Sequence, residues 1–98
     1  MLVVIATLTG KSDKREELAA ALSTAAAASR GDAGCLSYGF HRDLENPDTY
    51  VSVEVWEDQA CLDAHFTTPH IADLFAVAGD LLDGAVDIKT YPTDGPTA

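Results

Sequence analysis

The chain has 98 residues and a mass of 10.3 kDa, one small domain's worth, which excludes two-domain enzymes, Rossmann-sized dehydrogenases and (β/α)8 barrels. Hydrophobic residues at 47% and charged residues at 22% describe a folding, globular composition with no apolar run long enough to span a bilayer. Sixteen acidic against six basic residues give a formal charge of −10, which opposes phosphate backbones and anionic lipid, so neither nucleic acid nor a membrane is expected as partner.

Met1 is followed by Leu2-Val3-Val4-Ile5 without a basic segment or small-residue cleavage site, so no export signal is read and a cytoplasmic location is expected. Leu2 to Thr9 is β-branched and apolar, a first strand, and Gly10-Lys11-Ser12-Asp13 supplies a turn with a helix N-cap at Ser12 or Asp13. From Asp13 to Arg30 neither Gly nor Pro interrupts an alanine-rich stretch, and Leu18, Leu22, Ala25 and Ser29 recur at helical spacing. The helix should stop in Arg30-Gly31-Asp32-Ala33-Gly34, where the Arg-Gly-Asp tripeptide reads as a helix-ending loop.

Cys35 to Asp43 alternates Leu36, Tyr38 and Phe40 against Ser37, Gly39 and His41, a second strand. Glu45-Asn46-Pro47-Asp48 turns the chain into a third, Thr49 to Trp56, antiparallel to it. Along this strand Val51, Val53 and Val55 share one face, and Tyr50, Ser52, Glu54 and Trp56 the other, so both faces need cover. Asp58 should cap a short helix carrying Cys61, Leu62, His65 and Phe66. Thr68-Pro69 restarts a helix in which Ile71, Leu74, Phe75 and Ala78 form a buried stripe. Ala85 to Tyr91 makes the fourth strand, and residues 93–98 are read as a flexible tail behind a domain of residues 1–92. Cys35 and Cys61 have no metal-binding or redox spacing and read as free, buried thiols.

This order, β-α-β-β-α-β with the second helix broken, predicts an α+β fold of ferredoxin-like type: a four-stranded antiparallel sheet under helices on one face. A second copy of the chain is the economical cover for the other face, giving a homodimer.

Val53-Glu54-Val55-Trp56-Glu57-Asp58-Gln59-Ala60, then Ala64-His65-Phe66-Thr67-Thr68-Pro69-His70, together with Gly34-Cys35-Leu36-Ser37-Tyr38, resembles the antibiotic biosynthesis monooxygenase family. The resemblance implies a dimeric α/β barrel and oxygenation without metal, haem or flavin. A quinol, phenol or anthrone loses a proton, and its electron-rich anion reduces O2 directly. The haem-degrading branch of that superfamily fits poorly, since the sole Asn is Asn46, in a turn, and the sole Trp is Trp56, at a strand end.

Each candidate has a bland alternative. His65, in step with Leu62 and Phe66, borders the apolar side; it is a structural histidine or, since imidazole is the side chain suited to moving a proton near neutral pH, the proton-handling group. Glu54 between two valines is satisfied by a partner such as Lys89 or, in the functional reading, orients His65 or takes a substrate proton. Trp56, Tyr50, Phe66, Tyr38 and Ser52 are the expected substrate-binding wall. Phe75 is assigned to the core, His70 to a capping or surface role, and His41 to solvent. No cofactor or metal site is read, because no metal-ligand spacing, phosphate-binding glycine loop or nucleophile elbow occurs. The leading expectation is a cofactor-independent monooxygenase. The alternatives are an isomerase of a small polar or phosphorylated carbonyl compound, and a non-catalytic small-molecule binding dimer.

Overall fold

A computed structural model describes residues 1–97. Its elements are β1 (Leu2–Thr9), α1 (Arg15–Ser29), β2 (Cys35–Arg42), β3 (Thr49–Trp56), α2 (Gln59–His65), α3 (Pro69–Leu81) and β4 (Asp87–Pro92). The strands form one sheet in the order β2-β3-β1-β4, antiparallel throughout. That is the expected ferredoxin-like α+β arrangement, with the helices on one face.

Register decides which side chains meet. Val4 lies opposite Glu54, Ala6 opposite Ser52, Leu8 opposite Tyr50 and Leu2 opposite Trp56, so these eight share the helix-covered face. Tyr38 and Phe40 join them from β2, opposite Glu54 and Ser52. On the reverse face Val3 and Ile5 pair with Val55 and Val53, and Tyr91 lies opposite Val3. Among the described residues no helix covers that face; Val53 and Tyr91 remain 39% and 48% exposed.

Beneath the helices the apolar side chains gather in two clusters. One holds Val4, Ala26, Tyr38, Trp56 and Leu62; the other holds Leu8, Leu18, Leu22, Tyr50 and Leu81. Small side chains on α1, among them Ala25 and Ala26, let that helix lie close to the sheet.

The break between α2 and α3 has a local cause. Pro69 is the first residue of α3, and the residue before a proline is driven out of the helical region; Thr68 sits at φ −73°, ψ 152°. The hydroxyls of Thr67 and Thr68 donate to the carbonyls of Ala64 and His65, satisfying the end of α2. At the other end the Asp58 carboxylate accepts from the Cys61 backbone N–H, as the sequence predicts.

Some expected boundaries shift. Gly10 and Lys11 are tied by backbone hydrogen bonds to Asp48 and Leu81, so the chain makes a tight turn through Ser12–Lys14 and α1 starts at Arg15, with no side-chain cap from Ser12 or Asp13. β4 starts at Asp87 rather than Ala85, because Asp83 bonds back to Thr9 and Gly84, at φ +96°, turns the chain before the ladder with β1 begins. The α3 stripe is only partly covered: Ile71 is buried, Leu74 and Ala78 are half-buried, and Phe75 is 57% exposed, which corrects its assignment to the core. Both cysteines are half-buried rather than buried. Of the expected tail, Thr93 exchanges hydrogen bonds with Met1, and Ala98 lies outside the described residues. No described helix is long and apolar enough to cross a membrane.

Candidate active site

Along β3 the helix-facing row reads Tyr50, Ser52, Glu54, Trp56, large at both ends and smaller in the middle. Tyr50 fills one core cluster and Trp56 the other. Between them Ser52, with Ala6 opposite it, is too small to fill the space up to the helices, and a cavity opens there. Its empty space is about 630 Å³ with the solvent at its open mouth included. Tyr38, Ser52, Glu54, His65 and Phe66 all line it. Phe75 stands on its wall with Phe66, both still partly open to solvent. Most of the remaining lining is aliphatic, from β1, α1 and α3, and no lysine or arginine contributes to it.

Two residues expected in this wall are elsewhere. Trp56, 0% exposed, lies behind the lining; its indole N–H donates to Glu54 Oε1 at 3.0 Å and its ring lies tilted against His65 with centroids 4.6 Å apart. Tyr50 is packed among Leu8, Leu18 and Leu22, with its hydroxyl accepting from the Arg42 guanidinium. Both therefore support the site instead of facing its interior, because their bulk is spent filling the core on either side.

Glu54 is 4% exposed, and its partner is not Lys89, which lies on the opposite face beside Asp87. Its two oxygens are satisfied by neutral donors on its own strand: Ser52 Oγ donates to Oε2 at 2.7 Å and Trp56 to Oε1. A carboxylate buried without a cation, yet fully hydrogen-bonded, is a charge held in place at the cavity wall. Its effect reaches Tyr38, whose phenol is held well above the usual tyrosine range, first by burial and then by the negative charge of Glu54. Tyr38 is thus a hydrogen-bond donor near neutral pH, not a base.

His65 is 2% exposed and surrounded by rings, with Tyr38 and Phe66 each 5.4 Å away between centroids. What fixes it is a residue that sequence reasoning left in a loop. Asp32 Oδ2 lies 2.7 Å from His65 Nδ1 and 2.9 Å from His70 Nε2. His70 is accordingly half-buried and bonded, which corrects its expected surface or capping role. Asp32 is placed by its own backbone, its N–H donating to Ser29 and its carbonyl accepting from Cys35. Asp32 and His70 do not line the cavity but His65 does, so the imidazole bridges the two. With the proton on Nδ1 directed at Asp32, Nε2 on the other edge of the ring has no protein partner among the described residues and is free to accept a proton. The orientation expected from Glu54 is supplied by Asp32.

Neither cysteine offers a nucleophile. Burial pushes the Cys35 thiol up, and hydrogen bonding to the Asp58 carboxylate pushes Cys61 up, so both stay protonated thiols near neutral pH.

Comparison with known proteins identifies the family. The family model described as antibiotic biosynthesis monooxygenase matches residues 1–77. An uncharacterized protein of Synechocystis, sll1783, is 37% identical over 90 residues, 92% of this chain; the chain spans 61% of that relative's length. The Bacillus subtilis protein YcnE, named as a candidate monooxygenase, is 28% identical over 88 residues, covering 90% of this chain and 93% of its own. The crystal structure of PA3566 from Pseudomonas aeruginosa superposes with a TM-score of 0.88 at 32% identity, covering 96% of this chain and 94% of that one.

Proposed function

This chain belongs to the antibiotic biosynthesis monooxygenase family, and from that premise we propose that it oxygenates a small aromatic substrate of quinol or anthrone type, without a bound cofactor, by taking a proton from it and letting its anion react with O2. The observation that carries this reading is the Asp32–His65 pair: an imidazole buried beside a largely apolar cavity, its Nδ1 held by a carboxylate at 2.7 Å and its other nitrogen without a protein partner.

The chemistry then follows from the residues. A flat ring enters between Phe66, Phe75 and the aliphatic wall, displacing water from the cavity. His65 Nε2 takes the acidic proton, and the imidazolium that forms is stabilised by Asp32 behind it and by Glu54 on the cavity wall. Tyr38, whose phenol keeps its proton, lines the wall beside the ring. The anion gives one electron to O2, and the resulting radical and superoxide combine to a carbon-bound peroxide anion, which takes the proton back from the His65 imidazolium. The hydroperoxide then loses water, its second hydrogen coming from the substrate carbon, and leaves one oxygen atom on the substrate as a carbonyl. A phosphorylated isomerase substrate would ask for cationic groups, and the lining has no lysine or arginine.

The test is oxygen consumption by chelator-treated protein against a panel of hydroquinones and anthrones. Uptake with at least one of them is expected, falling by roughly 10²–10⁴-fold in His65→Ala, the usual worth of a positioned base. No uptake across the panel, or unchanged uptake in His65→Ala, defeats the reading.

A further inference from the structure

We infer that Asp32, His65 and His70 form a binding site for a divalent first-row metal ion, one whose occupation shuts off the base on His65. Among the described residues these three are the group whose ligand atoms, a carboxylate oxygen and two imidazole nitrogens, all lie within 4.8 Å of one another. The two short contacts, 2.7 Å from His65 Nδ1 and 2.9 Å from His70 Nε2, converge on the same oxygen, Asp32 Oδ2. Metal–nitrogen and metal–oxygen bonds of about 2.0–2.2 Å set ligand atoms roughly 3.0–3.5 Å apart, so an ion needs the two contacts to Asp32 to lengthen by about half an ångström and the two nitrogens, within 4.8 Å of each other, to draw together. The means for that are present: His70 and Asp32 side chains are 22% and 13% exposed, and Asp32 sits on a loop.

Charge and access point the same way. Among the described residues Asp32 has no lysine or arginine in ion-pairing range; both of its partners are imidazoles, which are neutral unless protonated. The whole chain carries −10, a field that draws cations. A second hollow, between α1 and α3, has His70 and Asp73 on its wall, so one of the three ligands is reached from outside. Two nitrogens and one carboxylate oxygen with solvent completing the shell suit zinc, cobalt, nickel or ferrous ions and not magnesium or calcium, which take all-oxygen shells.

The site stands apart from the oxygenase reading, but its effect on turnover rests on it. A metal ion at Nδ1 takes the place of the proton directed at Asp32. The one proton of the neutral ring is then on Nε2, on the edge away from Asp32, a donor with no lone pair for the substrate. The ion thereby exchanges the tautomer that the base needs for the one that cannot act.

Isothermal titration of the metal-free protein with Zn2+, and visible absorption with Co2+, test this. One ion per chain is expected, with nitrogen–oxygen d–d bands. Asp32→Asn and His70→Ala should each weaken Zn2+ binding by at least roughly 10–100-fold, the cost of losing even an outer-sphere partner, with circular dichroism confirming that both fold. Wild-type oxygen uptake should fall as Zn2+ is added, and uptake by His70→Ala should be insensitive to the same concentration. No binding to the folded wild type, undiminished binding in both variants, or a thiolate charge-transfer band placing the ion on Cys35 or Cys61 would overturn the site. Binding that leaves wild-type turnover untouched would overturn the inhibition. Protein that takes up no oxygen in any state but keeps its Zn2+ isotherm would defeat the proposed function and support the site.

Discussion

Asp32 shows how much one side chain outside the cavity controls inside it. Its Oδ2 meets His65 at the ring edge away from the free Nε2, so it sets the tautomer without touching whatever enters the hollow. Asp32→Asn removes the charge that supports an imidazolium and blurs the tautomer choice, because an amide offers a donor as well as an acceptor. We expect kcat to fall by roughly 10²–10³-fold with KM for the quinol little changed, since general-base catalysis is lost while the binding wall is intact. Steady-state oxygen-electrode kinetics separate the two. A fall in affinity without a fall in kcat would mean that Asp32 shapes the pocket and does not act through His65.

The elements of this fold are held in register by a few close contacts. Gly34, at φ +76°, follows the loop that carries Asp32 and packs on Cys61 of α2, where a Cβ would collide with the cysteine side chain. Gly34→Ala therefore meets both a left-handed backbone and a steric clash, and should cost roughly 2–4 kcal/mol in urea unfolding. It should also lower turnover by pulling Asp32 away from His65. The start of α2 makes a second element-scale prediction. The Cys61 backbone N–H holds the Asp58 carboxyl below its usual range, so the capping contribution is fully present above the ordinary aspartate pKa and is lost as pH falls through the depressed one. Asp58→Asn should flatten the acid limb of the stability curve below about pH 4, followed by circular dichroism. An identical acid limb in the variant would show that the cap contributes nothing there.

At the scale of the molecule the uncovered sheet face is the open account. Val3, Ile5, Val51, Val53, Val55 and Tyr91 form an apolar surface with no helix over it, and a second copy of the chain is the proposed cover. Sedimentation should give about twice 10.3 kDa. Val53→Lys, placing a charge in the middle of that face, should return the monomer mass, because an unpaired ammonium is expensive to bury. With −10 on each copy, added salt should tighten the dimer by screening repulsion. A wild-type monomer at all salt concentrations would remove the dimer and leave the face needing another partner.

Periodicity was enough to read the strands, the two faces of β3 and the Thr68-Pro69 break, because alternation and proline sterics act over neighbouring residues. It also put Glu54, Tyr38 and Ser52 on the sheet face that the cavity borders and His65 on the apolar side of α2; that these and Phe66 belong to one site was what the family resemblance implied. Tertiary structure alone decided the rest. Trp56 and Tyr50 share a face with Glu54 yet miss the cavity, because position along the strand, not face, determines which side chains fill the core and which leave room. Phe75 follows the α3 stripe but stands at the edge of the layer, beyond what the sheet can cover. Asp32 is 33 residues from His65 and 38 from His70, in a tripeptide with no catalytic spacing. A sequence pattern reports what a residue does to its neighbours along the chain, whereas a shared proton or ion depends on atoms that only the closed fold brings within bonding distance.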